Sequence, residues 1–443
     1  MLGAFVRAFR TPDLRSKIVF TLFIIALFRI GASLPSPGVS VSNIRGCVEA
    51  AKNSSNSGVF TLLNLFSGGA LYQLSIFALG ILPYITSSII LQLLTVVIPR
   101  LEELKKQGQA GQAKITQYTR YLTVGLAILQ AAGIIALARS GNLIPNCPGN
   151  SIIPDTGQQP YWLTIAGLVC TMTAGTGIVM WLGELITDRG VGNGMSILMF
   201  SSIAARLPAE GKSILDTKNA TGFVIVIGIG LAVIAAVVFI EQAQRRIPVQ
   251  YARRIVGKRS YGGSSTYLPI KVNPAGVVPV IFASALIYLP TILTQLGNQA
   301  HPGAVSKFIQ RYVQPPDSWV HLMLYFALVI FFTYFYTSIQ LNPTEVADNM
   351  KKKGGFVPGI RPGRPTAEYL DYIISRMLLP GSLYLGLVAI LPNLFIDLAG
   401  GSQNTQNFPF GGTSVLIMVG VGLETVKQIQ SQLEQRNYVG FLR

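Results

Sequence analysis

The sequence predicts an all-α integral membrane protein. It reads as ten transmembrane helices in two five-helix halves, with a short broken helix and two long cytosolic loops, one of them a small β-hairpin. Three observations carry this. The 443 residues are 50% hydrophobic and only 12% charged, with a mean hydropathy of +0.48, beyond the range of soluble domains. Ten apolar windows fall at about 18–34, 71–97, 118–138, 161–186, 195–207, 221–241, 274–296, 319–340, 370–396 and 412–430. Finally, with the N-terminus inside, the inner segments hold 26 Lys and Arg against 8 in the outer ones, which puts both termini in the cytoplasm.

Taken in order, the first window, Ile18 to Leu34, lacks a small-residue cleavage site and reads as a span rather than a signal peptide. Arg29, near its outer end, snorkels or meets a helix-end carbonyl and is assigned no function. Val59 to Phe66 is apolar or small but covers only about two helical turns, and Ser67-Gly68-Gly69 stops it. Leu71 to Val97 is apolar again and long enough to cross. Irregular backbone is not tolerated against lipid, so the break belongs inside protein or beside a water-filled cavity, where broken helices mark transport paths. A kinked or re-entrant structural helix is the alternative. Pro83, Pro279, Pro290 and Pro380 should kink their helices. The fifth window is short and follows Asp188-Arg-Gly-Val-Gly-Asn-Gly194. A boundary near residue 215 divides the spans evenly, into 1–215 and 216–443, without detectable internal repetition.

A formal charge of +17 implies anionic partners: lipid headgroups, RNA or an acidic protein. Two inner loops concentrate it. One carries Arg245, Arg246, Arg253, Arg254, Lys258 and Arg259 within about 242–272, and alternation on both sides of Gly262-Gly263 predicts a hairpin. The other, about 341–369, has Gly and Pro turns that present Arg361 and Arg364, and guanidinium groups suit phosphate or carboxylate. The general excess of positive charge on inner loops explains their sign but not their length or turn chemistry. The spans hold almost no ionisable groups, and no zinc-protease, nucleophile-elbow or paired-aspartate pattern occurs, which argues against catalysis and a proton relay. Cys47, Cys147 and Cys170 are too far apart for a metal motif, so no metal or other cofactor is expected; His301 and His321 read as loop residues, and Cys170 as a buried thiol. Cys47 and Cys147 fall in the first two outer loops, on an oxidising side, and are a candidate disulfide; two unpaired thiols are the alternative.

Several stretches carry a resemblance. Phe66-Ser-Gly-Gly-Ala-Leu71, Ala78-Leu-Gly-Ile-Leu-Pro-Tyr-Ile-Thr86, Gln92-Leu-Leu-Thr-Val-Val97 and Gln117-Tyr-Thr-Arg-Tyr121 resemble the SecY family, the channel subunits of the Sec protein translocase. So do Trp181-Leu-Gly-Glu-Leu-Ile-Thr-Asp-Arg-Gly-Val-Gly-Asn-Gly194, Gln244-Arg-Arg246, Phe356-Val-Pro-Gly-Ile-Arg-Pro-Gly363 and Phe410-Gly-Gly-Thr413, in order along nearly the whole chain.

The resemblance implies an hourglass channel that passes unfolded polypeptides and releases apolar segments sideways into lipid, with no reaction of its own. It implies a plug at about 58–68, with Leu62, Leu63, Leu65, Phe66, Ser67, Gly68 and Gly69, and a pore ring of Ile81, Ile85, Met195, Met199, Ile281 and Ile417. The family commonly has isoleucine where this chain has Met195 and Met199. Each of the pairs Ile81/Ile85 and Met195/Met199 shares a helix face, though ordinary helix packing would use the same residues. A lateral gate between spans two and three and spans seven and eight would use Thr86, Gln92, Gln130 and Thr291. Partners implied are the SecE and SecG membrane subunits, the SecA motor, the ribosome, signal sequences, nascent chains and lipids, in a bacterial plasma (inner) membrane. The motor or ribosome supplies the energy, since no P-loop is present, and both dock on the basic loops. Outside the resemblance, a secondary transporter with a midplane solute site and a membrane-bound enzyme remain alternatives.

Overall fold

The computed structural model describes residues 9, 11–40, 43, 67–71, 73–139, 161–217, 220–251, 254–256, 259–261, 265–296, 303–313, 318–398 and 412–440. The ten apolar windows each hold a long helix: α1 (Pro12–Ser33), α2 (Leu82–Val97), α4 (Gln109–Arg139), α5 (Tyr161–Arg189), α6 (Gly194–Thr217), α7 (Ala220–Gln242), α8 (Val278–Leu296), α10 (Trp319–Gln340), α12 (Arg364–Leu398) and α13 (Gly412–Gly440). The short helices α3 (Pro99–Lys106), α9 (Ala304–Phe308) and α11 (Pro343–Lys352) lie between them. Among the described residues five helices are individually long and apolar enough to cross a membrane, and α2 and α3, bent by 101°, reach that length only when taken together.

Three expectations change. The second span does not restart at Leu71: residues 67–71 and 73–81 run through turns, and helix begins at Leu82. Gly68, Gly69, Leu74 and Gly80 all have positive φ, at 67°, 94°, 43° and 55°, which a right-handed helix cannot absorb. The turns are instead tied to the exit of α1, with Ser36 N donating to Leu74 O at 3.1 Å and Ile76 N to Leu34 O at 3.0 Å. Pro83 and Pro279 kink nothing, because each stands in the first turn of its helix, where no backbone N–H is needed. Pro290 and Pro380 do lie within α8 and α12. The fifth helix runs to Thr217 through Pro208, well past residue 207.

Two smaller corrections follow. His321 is not in a loop; it sits in the first turn of α10, its Nδ1 2.6 Å from Val313 O. Cys170 is exposed on α5 rather than buried, because its side chain is on the helix surface turned away from the bundle. His301 lies outside the described residues.

The hairpin forms within the expected bounds, and further strands join it. Strand β1 (Gln244–Tyr251) pairs antiparallel with β4 (Ser265–Lys271), from Gln244↔Lys271 to Gln250↔Ser265. Between them β2 (Arg254–Val256) and β3 (Arg259–Tyr261) form a second small ribbon. The other basic loop joins the same sheet: β5 (Gly355–Phe356) pairs with the free edge of β1, giving the order β4-β1-β5. Ile247, Ile270 and Val357 from the sheet and loop pack with Ala347 of α11 and Leu370, Ile373 and Ile374 of α12 in one apolar cluster. That burial fixes both loops to each other and to the end of the bundle.

Candidate functional site

The Asp188–Gly194 turn shows how the sequence builds the site. Gly192 has φ 84° and reverses the chain after α5. Asn193 Oδ1 then accepts from Met195 N at 3.1 Å and Ser196 N at 3.4 Å, capping α6. Thr187 Oγ1 accepts from Gly194 N at 2.9 Å and donates to Gly183 O at 3.0 Å. A Cβ at Gly194 would run into the Gly183 carbonyl, so only glycine lets α6 start this close to α5. Met195 and Met199 therefore occupy the first turns of α6 and point to the middle of the bundle.

All six candidate ring residues meet in one apolar cluster. Ile81, Met199 and Ile417 are 2%, 5% and 0% exposed, and the half-buried Ile85, Met195 and Ile281 pack against them. On one side of the ring lies a cavity of about 470 Å³. Ile85, Met195, Met199 and Ile281 line it, together with Ser88 and Gln92 of α2, Arg120 of α4, Glu184 and Asp188 of α5 and Tyr336 of α10. These residues come from the C-terminal ends of α5 and α10, the N-terminal ends of α4, α6 and α8, and the length of α2 from Tyr84 to Gln92. The cavity thus opens at the end of the bundle that carries the basic sheet. From Gln92 back to Ile81 the chain descends roughly 16 Å. At that lower level the turns of 67–81 close in from the opposite side, with Ala70 and Phe77 in the same cluster as the ring. The arrangement is a partly polar cavity beside an apolar cluster, with the turns before Leu82 packed against the same cluster.

The cavity wall holds a feature that no single motif announced. Arg120 donates from Nε to Glu184 Oε1 and from Nη2 to Glu184 Oε2, both at 2.8 Å, and from Nη1 to Gln117 Oε1 at 2.9 Å. Both partners stand in stretches singled out for resemblance, 117–121 and 181–194, but their distance along the chain hid the pairing.

The other candidates are placed as follows. Helix α8 packs against α10 and also touches α2 and α4, so the four helices of the expected lateral seam are neighbours. Thr86 does not bridge that seam; it donates to Leu82 O and Pro83 O of its own helix, both at 3.0 Å. Gln92 likewise donates to Ser88 Oγ at 3.3 Å, Gln130 is half-buried on α4, and Thr291 lies in α8. Ser284 of α8, Tyr325 of α10 and Thr413 of α13 form a hydroxyl chain, with oxygens 3.2 and 3.0 Å apart, that the sequence did not suggest.

On the sheet, Arg245 and Arg246 are exposed, and Arg246 lies 4.9 Å over the Tyr267 ring. Arg361 is exposed in its turn, and Arg364 opens α12 with Glu368 at 3.1 Å. Arg254 and Arg259 lie in β2 and β3. Arg253, Lys258, Cys47, Cys147, Leu62, Leu63, Leu65 and Phe66 fall outside the described residues.

The SecY family profile matches residues 75–426. Protein translocase subunit SecY of Streptomyces scabiei is 60% identical over 448 residues, and that of Mycobacterium bovis 58% identical over 448, in each case across 100% of both chains. Among solved structures, one described as a protein conducting channel aligns with a TM-score of 0.61 at 17% identity, covering 94% of this chain and 91% of that one. Sec61 from the canine ribosome-channel complex aligns at 0.58 with the same identity and coverage. At that identity the structures speak to fold alone, and the agreement there is with helical channels. On the family match and the full-length relatives together, this chain belongs to the SecY family.

Proposed function

We propose that this chain forms the polypeptide-conducting channel of a bacterial Sec translocase, a multi-pass protein of the plasma membrane with both termini in the cytoplasm. The observation that carries the reading is the ring of Ile81, Ile85, Met195, Met199, Ile281 and Ile417 between the polar funnel and the turns of 67–81. A narrow apolar constriction blocks ions by dewetting and offers no group that selects one peptide side chain over another. It therefore suits a path that must pass any unfolded chain yet hold back ions, and it needs no chemical step.

Met195 and Met199, softer than isoleucine, give the ring a compliant side. The plug is assigned to about 58–68, continuing into the described Ser67, Gly68 and Gly69. The neighbouring α2, α4, α8 and α10 form the lateral gate, through which segments of about 20 apolar residues move to lipid. The two halves, 1–215 and 216–443, flank this path, and α6 ends at Thr217, just beyond that boundary. The shared sheet presents Arg245, Arg246 and Arg361 to cytosolic partners, the ribosome and the SecA motor, while SecE and SecG associate within the membrane. One solved relative of this fold is described in complex with the ribosome.

The test is a secretory chain stalled in transit, with photo-crosslinkers at Ile85 and Ile281. Adducts at both positions are expected. A compact solute that saturates the funnel, with no adduct to the stalled chain, would replace the channel with a transporter.

A further inference from the structure

Helix α1 presents an unusual face to the turns of 67–81. Phe28 is buried and stacks on Phe77, ring centroids 6.0 Å apart and planes 10° from parallel. Gly31 lies directly under the same ring, where a Cβ would collide with it. Between them stands Arg29, a permanent cation in the otherwise uncharged stretch of α1 after Lys17, a placement that is costly unless its charge finds acceptors. Its Nη1 donates to the Gly68 carbonyl at 3.4 Å. A Cβ at Gly68 would stand 2.5 Å from that nitrogen and 3.2 Å from Ser202 Cα of α6, so the guanidinium and α6 fill the space a side chain would need. The φ of 67° at Gly68 also needs glycine. The residues beside it, Ser67, Ala70 and Leu71, are each 1% exposed, and Ala70 belongs to the ring cluster.

We infer that Arg29 is a positioning residue for channel closure: it latches the Ser67–Leu71 turn against the ring by holding the Gly68 carbonyl. The bond is single and long for N–H···O, so it is weaker than a short, well-aligned one and releases without breaking a network. The guanidinium keeps its charge at every physiological pH, so the latch responds to displacement of the turn and not to protonation. When the turn leaves, Arg29 is exposed to the channel with five donors and no assigned acceptor. Backbone carbonyls of a passing chain are then the chemical class it would meet.

The inference rests on the channel reading, and the two fail differently. Loss of crosslinks at Ile85 and Ile281 removes the channel, whereas normal crosslinks with an unchanged leak remove only the latch. The experiment is resting ion conductance of the full-length chain, reconstituted with its membrane partners in planar bilayers, for the parent, Arg29→Gln, Arg29→Lys, Gly68→Ala and the double variant Arg29→Gln/Gly68→Ala. Arg29→Gln should raise the resting open probability about tenfold, and Gly68→Ala by a similar factor. Because both act on one contact, the double variant should match the larger single effect instead of their product. Arg29→Lys, which keeps the charge on a shorter donor set, should leak less than Arg29→Gln. Multiplying effects, equal leak in the Lys and Gln variants, or no leak in Gly68→Ala would each overturn the latch. Should Arg29→Gln assemble poorly, Arg29→Lys and Gly68→Ala decide alone: leak in both supports the latch, and parental tightness in both overturns it.

Discussion

Arg120 and Glu184 join α4 to α5 through two parallel hydrogen bonds of 2.8 Å, on the wall of the funnel and only partly shielded from solvent. A fork-to-fork pair fixes direction as well as distance. Arg120 and Glu184 line the same cavity as Val278, Ile281 and Phe282 of α8. The charged lining residues Arg120, Glu184 and Asp188 thus come from α4 and α5, whereas α8 supplies only apolar ones.

That pairing predicts strong coupling. Arg120→Ala and Glu184→Ala should each lower the apparent unfolding temperature in detergent and slow translocation in vitro. A double-mutant cycle should give an interaction of about 0.5–3 kcal/mol. The swap Arg120→Glu/Glu184→Arg should recover part of the loss. Additive single effects would mean that the pair does not hold the wall together.

Ile417 is fully buried in the apolar cluster proposed as the ring. Ile417→Asn places an amide there with no partner, costing the closed state about 1–3 kcal/mol. The expected outcome is a hydrated, more readily opened ring, read as increased export of substrates with defective signal sequences. Ile281→Asn, at a half-buried position lining the cavity, should act in the same direction but less strongly. Parental selectivity in both would place the barrier elsewhere.

Arg361 stands in an exposed turn between Gly359 and Gly363, whose φ values are 83° and 110°. Reversal to Glu should leave stability within about 0.5 kcal/mol, as for surface substitutions generally. Binding of motor or ribosome should weaken, with steeper loss at low salt because exposed charges are less screened there. Unchanged binding at every salt concentration would remove Arg361 from the docking surface.

Asn273 is 2% exposed and joins the end of α7 to the turn before α8, donating to Glu241 Oε1 at 2.6 Å and Gly276 O at 3.0 Å. Asn273→Ala strands the carboxylate and should destabilise by about 1.5–3 kcal/mol, measured by thermal unfolding in detergent. Asn273→Asp sets a second carboxylate against the first. Like charges this close disfavour double ionisation, so that variant should regain stability as pH falls. A flat pH profile would show that Glu241 finds compensation from another group.

Much of this protein is legible without coordinates. The apolar windows fix the long helices because a bilayer-spanning segment needs about 20 apolar residues, whatever its neighbours. The break at Gly68-Gly69 is local chemistry, and so is the hairpin, whose alternation and glycines are set by residues near one another in the chain. The apolar cluster was readable only as shared helix faces, Ile81 with Ile85 and Met195 with Met199, and its reading as a ring came from resemblance. What the tertiary structure alone decided are the long-range relations. Arg120 meets Glu184, and β5 completes a sheet begun a hundred residues earlier. Positive φ at Gly68, Gly69, Leu74 and Gly80 takes this stretch out of helix, and only the fold shows that it is tied to residues 34–36 and held by Arg29. Periodicity records which face of a segment is buried; it carries no information on which other segment buries it, and that choice is made by packing in three dimensions.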